Sequence, residues 1–246
     1  MSIRIAQISD CHLPENLEQP YRGINPYRNL EALLRKVKPL QPDLILATGD
    51  LSEDGSEGSY RLIQDLLDPF DVPVLALPGN HDNPGLLANI YPGSPTDSVQ
   101  ATQLGNWQII RLNSCIAGIP CGRLSEKTLS ELESILSQKP APPSLVAIHH
   151  QPVLVESSWI DRYRLLEPEP FINLVDQYPH IRAVVWGHIH QVFESDRNGV
   201  AMLGGPSSAI NGIPGADKFT PDTLGPACRW LELQSDGSLK SHIVSV

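Results

Sequence analysis

Short apolar runs that end in a polar side chain of the metal-binding type recur along this chain. A buried strand reads as a short apolar run, and ligands gather beyond the carboxyl ends of strands in open α/β sheets, so the recurrence predicts polar side chains meeting at one rim. These polar side chains are all carboxylate, amide or imidazole donors, which are typical ligands of manganese, iron or zinc rather than of the soft metals that thiolates bind. They are Asp10, His12, Asp50, Asn80, His149, His188 and His190.

The number and spacing of these donors predict two metal ions. Seven donors are too many for one tetrahedral ion, so a pair of ions that share a carboxylate is the natural arrangement. Asp50 stands alone after its apolar run, which suits a bridging carboxylate with one oxygen on each ion. Asp10 and His12 are two residues apart and are expected on the same side of an extended segment. His188 and His190 repeat this spacing.

Cysteine usage and the absence of targeting signals favour the cytoplasm. The four cysteines show neither disulfide-type nor zinc-finger spacing. The first residues lack the basic flank, apolar region and cleavage site of a signal peptide, and no run approaches the roughly 18 apolar residues of a membrane helix. Cys11 lies between two predicted ligands and is expected to pack in the core, with its sulfur pointing away from them.

The charge balance argues against polyanionic partners. The chain carries 18 Lys and Arg against 28 Asp and Glu, a formal net charge of −10. Such a surface repels nucleic-acid backbones and anionic lipid, so neither a nucleic-acid polymer nor a membrane is an expected partner. A small phosphorylated substrate stays compatible, because two bound cations would invert the local potential.

The order of predicted elements favours an α/β fold of two packed sheets flanked by helices, formed by residues 1–246 as a single domain. Strands and helices alternate in the first half, with helix starts predicted at Asn25-Pro26 and later at Ser125. The second half is richer in strands, and Asn198-Gly199 and Asp236-Gly237 predict hairpin turns there. The predicted strands cover residues 3–8, 44–47, 72–77, 107–112, 145–148, 183–186, 200–203 and 229–233.

Together the motifs resemble the calcineurin-like metallophosphoesterase superfamily over nearly the whole chain. The motifs concerned are Asp10-x-His12, Gly49-Asp50, Gly79-Asn80-His81-Asp82, His149 and Gly187-His188-Ile189-His190. The resemblance implies a four-layer sandwich of two mixed β-sheets flanked by helices. It also implies two metal ions, with iron and manganese expected in preference to zinc. Their implied ligands are Asp10, His12, Asp50 and His190 for one ion, and Asp50, Asn80, His149 and His188 for the other.

Further stretches are similar to one branch of the superfamily, the bacterial class III 3′,5′-cyclic-AMP phosphodiesterases. This implies hydrolysis of 3′,5′-cyclic AMP, or of a related cyclic nucleotide or phosphodiester, to the monoester by a hydroxide held between two ions. Homodimers are common among similar proteins, but the sequence carries no interface signature. The stretches include Gly23-Ile24-Asn25, Gly118-Ile119-Pro120, Phe219-Thr220-Pro221-Asp222-Thr223 and Arg229-Trp230-Leu231-Glu232-Leu233.

His81 is the expected catalytic side chain. It follows Asn80 directly without being a ligand, which places it to protonate or stabilise the departing ribose oxygen. Many superfamily phosphatases carry an aspartate three residues after the bridging one, and it orients this histidine. Here that position is Glu53, followed by Asp54, so the partner of His81 stays open.

Other substrate contacts are less directly indicated. Asn80 and His81 are expected to contact the substrate, and His150, which follows the predicted ligand His149, is expected to point toward it. The remaining candidates have ordinary structural explanations as well. Arg22 and Arg28 could meet a phosphate or be solvated, Trp159, Tyr163 and Phe219 could stack a base or pack, and Asn211 could approach the site or form a turn.

Two competing functions stay open. The same chemistry could act on a glycerophosphodiester, a 2′,3′-cyclic nucleotide or a nucleotide-lipid pyrophosphate, although the last would require an apolar lid for which residues 83–95 offer few side chains. A non-catalytic scaffold on the same fold would be expected to lose donors or His81, all of which this chain keeps. A nuclease is disfavoured because no basic track accompanies the donors.

Overall fold

The computed structural model describes residues 2–246, which form strands and helices that alternate along the first half of the chain. The helices are α1 (Pro26–Val37), α2 (Glu57–Leu67), α3 (Pro84–Ile90), α4 (Glu126–Leu136), α5 (Ser158–Asp161) and α6 (Glu169–Gln177). The strands are β1 (Ile3–Ile8), β2 (Leu44–Thr48), β3 (Val74–Leu77), β4 (Gln100–Leu104), β5 (Trp107–Arg111), β6 (Cys115–Ile116), β7 (Ile119–Gly122), β8 (Ser144–Ala147), β9 (Ile181–Trp186), β10 (Phe193–Arg197), β11 (Val200–Gly204), β12 (Ala227–Leu233) and β13 (Leu239–Ser245).

Two mixed sheets form the centre of the molecule. The first has five strands in the order β13-β12-β1-β2-β3, and the second has six in the order β10-β11-β9-β8-β5-β4. Strands β1, β2 and β3 run parallel, as do β5, β8, β9 and β11, whereas β4, β10, β12 and β13 pair antiparallel. Strands β6 and β7 form a separate hairpin. The predicted pair of mixed sheets is confirmed.

Alternation along the strands builds the layers. In β1, Ile5 faces a cluster between the two sheets, whereas Ala6 and Ile8 face a second cluster under α1, α2 and α3. A third cluster lies between the second sheet and α4, α5 and α6. Because side chains of successive strand residues point to opposite faces, β-strands buried on both sides read as the continuous apolar runs of the sequence. The helices therefore flank the two sheets, as predicted.

Local capping signals place the helices. Asn25 accepts a hydrogen bond from the backbone N–H of Arg28, and Pro26 occupies the first turn of α1, as predicted. Helix α1 ends at Val37 and is followed directly by a short 3₁₀ turn, Lys38–Leu40. Ser125 caps α4 in the same way as Asn25 caps α1.

The segment 83–95 forms α3 and its flanks rather than a lid. Leu87 is fully buried and Tyr91 nearly so, both in the cluster under the first sheet's helices. An apolar lid would present these side chains to a lipid substrate, and here they are committed to the core. Across residues 2–246, the helices are too short or too polar to span a bilayer.

Candidate metal centre

The predicted donors follow the carboxyl ends of strands from both sheets. Asp10 and His12 come after β1, Asp50 after β2 and Asn80 after β3, all in the first sheet. In the second sheet His149 follows β8, and His188 and His190 follow β9. Parallel strands in each sheet end at a common rim, and the two rims meet. The structure thereby brings all seven donors to one place.

Asp50 lies between two groups of donors. Its Oδ2 atom is 3.8 Å from Nε2 of His12 and 3.4 Å from Nε2 of His149. On the side of His12, Asp10 Oδ1 is 3.4 Å from Nε2 of His190. A carboxylate in this position reaches both groups at once, which is the geometry that a bridging ligand requires.

The four imidazoles are oriented by hydrogen bonds on their outer nitrogens. In each case the partner is a carbonyl or carboxylate oxygen, so the outer nitrogen carries the proton and the inner one presents a lone pair. Such outer contacts are typical of histidines that bind metal. The contacts are His12 Nδ1 to Glu53 Oε2 at 2.8 Å, His149 Nδ1 to the Thr48 carbonyl at 2.8 Å, His190 Nδ1 to the Ile210 carbonyl at 2.9 Å, and His188 Nε2 to the Tyr163 carbonyl at 3.1 Å.

Two features of the site fit bound cations. The Nε2 atoms of His12 and His190 lie 3.1 Å apart, and both are lone-pair acceptors in the tautomers that their outer contacts fix. Two facing lone pairs repel unless a cation lies against them. The Nε2 atom of His149 and the Oδ1 atom of Asn80 are among the side-chain atoms of residues 2–246 that are buried without a hydrogen-bond partner. Each such atom costs about 1–3 kcal/mol unless something compensates it, so the donor set fits two cations.

The backbone at the donors is strained rather than extended. The φ angles of Asp10, His12, Asp50, His188 and His190 are 52°, 46°, 49°, 67° and 48°. These left-handed values correct the prediction that the two donor pairs lie on extended segments. Non-glycine residues held in the left-handed region cost of order 1–3 kcal/mol each and cluster at functional sites.

Long-range hydrogen bonds and a small buried side chain support these turns. The backbone N–H of Asp10 donates to the Gly49 carbonyl at 2.9 Å, and that of His12 donates to the Asp50 carbonyl at 3.0 Å. Cys11, between them, is fully buried in the core under the helices. The prediction that Cys11 packs in the core is confirmed.

Glu53 links His81 to a candidate ligand. Its Oε2 atom lies 2.8 Å from His12 Nδ1 and 3.2 Å from His81 Nδ1. The hydrogen bond to this carboxylate raises the pKa of His81 to about 9. Asp54 instead accepts hydrogen bonds from the Ser56 hydroxyl at 2.7 Å and from the backbone N–H of Glu15 at 2.9 Å. Of the two acidic residues left open by the sequence, Glu53 is the one that contacts the histidine.

His150 lies behind the donors. It is fully buried, its Nδ1 is 2.7 Å from the Ser114 hydroxyl, and its ring centre is 4.6 Å from that of His188. Burial lowers the pKa of His150 to about 3, so the ring is neutral. The expectation that this residue points toward the substrate is not met, because its position supports His188 from within the core.

A cavity of about 160 Å³ opens over the donors. Trp159 and Tyr163 form part of its wall, and Phe219 packs against Trp159 with ring centres 5.3 Å apart. Asn211 is a turn residue, because its side chain bonds the backbone of Ser207 and of Gly225. The cavity is lined by His12, Tyr21, Arg22, Asp50, Asn80, His81, Pro120, Trp159, Ile160, Tyr163, His188 and His190.

Sequence reasoning missed two residues that hold the donors. Tyr21 stacks on the ring of His12, with centres 4.1 Å apart and planes 10° from parallel. The Ser207 hydroxyl donates to the Asp10 carbonyl at 2.8 Å from a loop that follows β11. Neither lies in a recognisable donor pattern. The contact of Ser207 joins it to a residue 197 positions away, so no local signal could have indicated its role.

Comparison with known proteins identifies the family. The model of the calcineurin-like phosphoesterase family matches residues 3–192. This chain belongs to that family. Family members use a dimetal centre, and the clusters of His and Asp described above could hold one. The resemblance stated from the motifs is therefore confirmed.

Relatives match over almost their full length. The chain is 36% identical to the 3′,5′-cyclic adenosine monophosphate phosphodiesterase CpdA of Pseudomonas aeruginosa, covering 100% of this chain and 90% of that one. It is 34% identical to CpdA of Escherichia coli strain K12, covering 98% and 89%. It is 36% identical to a 3′,5′-cyclic-nucleotide phosphodiesterase of a Nostoc species, covering 100% and 93%.

Solved structures support the fold. A dimetal phosphatase from Danio rerio superposes with a TM-score of 0.69 at 14% identity, covering 99% of this chain and 98% of that one. A purple acid phosphatase from yellow lupin gives a TM-score of 0.62 at 14% identity, covering 100% of this chain and 54% of that one. At these identities the likeness concerns the two-sheet architecture alone.

Proposed function

We propose that this protein is a dimetal phosphodiesterase that hydrolyses 3′,5′-cyclic AMP to the monoester. The observation that carries the proposal is the convergence of the seven donors, five of which line one cavity together with His81. The names of full-length relatives at 32–36% identity supply the substrate. We further infer that the predicted single domain holds for the described residues, 2–246, since both sheets contribute donors to the same site.

We assign the donors to two ions that share Asp50. The distances from its Oδ2 atom toward His12 and His149 support this bridging role. Carboxylate, amide and imidazole donors suit iron and manganese, and zinc as an alternative, so we propose an iron–manganese pair. The first ion would be held by Asp10, His12, Asp50 and His190, and the second by Asp50, Asn80, His149 and His188.

When bound, two such cations acidify a water molecule and offset the charge that develops as phosphorus becomes five-coordinate. The residues do the rest. His81 presents Nε2 to the cavity that it lines, because its Nδ1 faces Glu53. As the bond from phosphorus to the ribose oxygen breaks, the Nε2 proton of His81 passes to that oxygen. Glu53 holds the ring for this transfer and holds His12 at the same time.

Competing substrates are less well supported. The segment 83–95 is packed into the core, which removes the lid that a lipid pyrophosphate would need. A non-catalytic scaffold gives no reason for buried, unpartnered donor atoms in a strained backbone. We propose a cytoplasmic location, in keeping with four free cysteines, Cys11, Cys115, Cys121 and Cys228.

A substrate panel tests the proposal. Manganese-supplemented protein should be assayed with 3′,5′-cyclic AMP, 2′,3′-cyclic AMP, glycerophosphocholine, bis(p-nitrophenyl) phosphate and a nucleotide-lipid pyrophosphate. We expect the highest kcat/KM among the natural substrates for 3′,5′-cyclic AMP, and loss of all turnover after chelation. Turnover of 3′,5′-cyclic AMP no greater than that of the chelated protein would refute the proposal. His81→Ala should lose turnover while keeping its metal content.

A further inference from the structure

Arg22 occupies a tight turn at the edge of the cavity. The backbone N–H of Tyr21 donates to the Ile24 carbonyl at 2.9 Å, and the N–H of Ile24 donates back at 3.0 Å. The residues between them have positive φ angles, 48° at Arg22 and 85° at Gly23, as in a type I′ hairpin turn. Glycine or asparagine adopts this conformation at little cost, whereas arginine does so under strain. A strained arginine indicates that the position of its side chain matters.

Two aromatic rings hold the guanidinium in place. Nε of Arg22 donates to the Tyr21 hydroxyl at 3.0 Å, and its Cζ atom lies 4.2 Å from the centre of the Phe219 ring. Tyr21 stacks on His12, and Phe219 packs edge-on against His190 with ring centres 6.0 Å apart. Through Tyr21 and Phe219, Arg22 is therefore packed against the two imidazoles that we assign to the first ion, although its own side chain is exposed.

The remaining donors of this guanidinium are unused. Within residues 2–246, Arg22 forms no ion pair, and its hydrogen bonding is confined to the contact through Nε. It lines the same cavity as Asp50, Asn80 and His81. In a chain of net charge −10, a fixed and unpaired cation beside this cavity is suited to an anionic group inside it.

On the basis of the proposed function, we propose that Arg22 binds a non-bridging phosphoryl oxygen of the substrate through its Nη atoms. A planar guanidinium can donate two parallel hydrogen bonds to phosphate oxygens. Charge on these oxygens increases as water adds to phosphorus, so Arg22 stabilises the transition state more than the bound diester. We therefore expect Arg22 to act mainly on kcat and to do so for any phosphodiester, with no dependence on the base.

Glycine and lysine substitutions test this role without damaging the turn. Arg22→Gly should lower kcat/KM by about 10- to 150-fold, the worth of one hydrogen bond to a charged group, for both cyclic AMP and bis(p-nitrophenyl) phosphate. Its Tm should be unchanged or raised, because glycine relieves the strained φ angle. Arg22→Lys should be intermediate, and added guanidinium should partly restore Arg22→Gly. Arg28→Ala, which changes an exposed arginine of α1, should behave as the unchanged protein.

Binding of inorganic phosphate to the manganese-loaded protein, measured by calorimetry, provides a readout that does not depend on turnover. We expect weaker phosphate binding by Arg22→Gly at unchanged metal content. Activity of Arg22→Gly within about twofold of the unchanged protein on both substrates would overturn the inference. So would a loss confined to cyclic AMP, which would place Arg22 on the nucleoside, or a parallel loss of bound metal, which would make its role structural.

The same measurements separate this inference from the proposed function. If the unchanged protein fails to hydrolyse cyclic AMP, the proposed substrate is wrong. Phosphate affinity would still decide the role of Arg22, since weaker binding by Arg22→Gly supports a phosphoryl contact and equal binding refutes it.

Discussion

Replacement of Glu53 by glutamine tests how the catalytic histidine is positioned. The side chain keeps its size but loses its charge, and Oε2 no longer serves as a strong acceptor for both His12 and His81, which lie 2.8 and 3.2 Å away. A hydrogen bond to a charged group is worth about 1.5–3 kcal/mol, so losing the one to His81 should lower kcat by roughly 10- to 150-fold. Losing the one to His12 should weaken metal binding by about 10- to 100-fold.

Steady-state kinetics at saturating manganese separates these two effects, because excess metal hides the weaker binding while the loss in kcat remains. Asp54→Asn is the matched control, since Asp54 bonds Glu15, Ser52 and Ser56 rather than His12 or His81 and should leave kcat unchanged. In a His81→Ala background, Glu53→Gln should have little further effect on kcat, because the two residues act as a unit. A Glu53→Gln variant that keeps its kcat, or an equal loss in Asp54→Asn, would refute the reasoning.

Two further predictions concern the backbone and acid stability. A Cβ atom at Gly79 would overlap the Asp50 carboxylate, so Gly79→Ala should lose bound metal and activity. Gly85→Ala, where α3 has room for a Cβ atom, should lose neither. Metal analysis of both variants checks this, and a Gly79→Ala protein that keeps its metal would contradict the geometry. Burial alone would raise the pKa of Asp54, but hydrogen bonds from Glu15, Ser56 and Ser52 outweigh it and lower the pKa to about 2. The ionised carboxylate therefore stabilises the folded state above its unfolded pKa of 3.8, and this stabilisation is lost as the pH falls toward 2. The Tm difference between the unchanged protein and Asp54→Asn, both free of metal, should therefore be constant above about pH 5 and shrink between about pH 4 and 2; a difference that grows on acidification would contradict this assignment.

Local signals explain why much of the fold could be predicted. Asn25 and Ser125 cap helices through contacts made three residues away, so the sequence alone contains both partners. Strands buried on both faces, such as Leu44–Thr48, read as apolar runs. Donors placed at the ends of those runs converge, because parallel strands end at a common rim.

Edge strands were missed for the complementary reason. Phe193–Arg197 reads Phe-Glu-Ser-Asp-Arg and is mostly exposed, so it has no apolar run to reveal it. It is a strand because β11 supplies antiparallel partners, and that pairing is a tertiary contact. Gln100–Leu104 and Leu239–Ser245 are edge strands of the same kind.

In the site, too, some features follow from the local sequence and others depend on tertiary contacts. Donor identities are visible in the sequence, but the left-handed φ angles at Asp10 and His12 depend on hydrogen bonds to Gly49 and Asp50, which belong to another loop. Likewise, only the path of the chain after Asp50 decides that Glu53, rather than Asp54, faces His81. Sequence spacing alone leaves both acidic side chains equally available.

Anomalous X-ray diffraction from crystals of the metal-loaded protein, collected at the iron and manganese edges, tests the two-ion site most directly. The assignment of donors predicts two peaks roughly 3.5–4 Å apart, one on each side of the Asp50 carboxylate. One peak should lie near His12 and His190, and the other near Asn80 and His149. A single peak, or a pair that does not share Asp50, would contradict the dimetal mechanism.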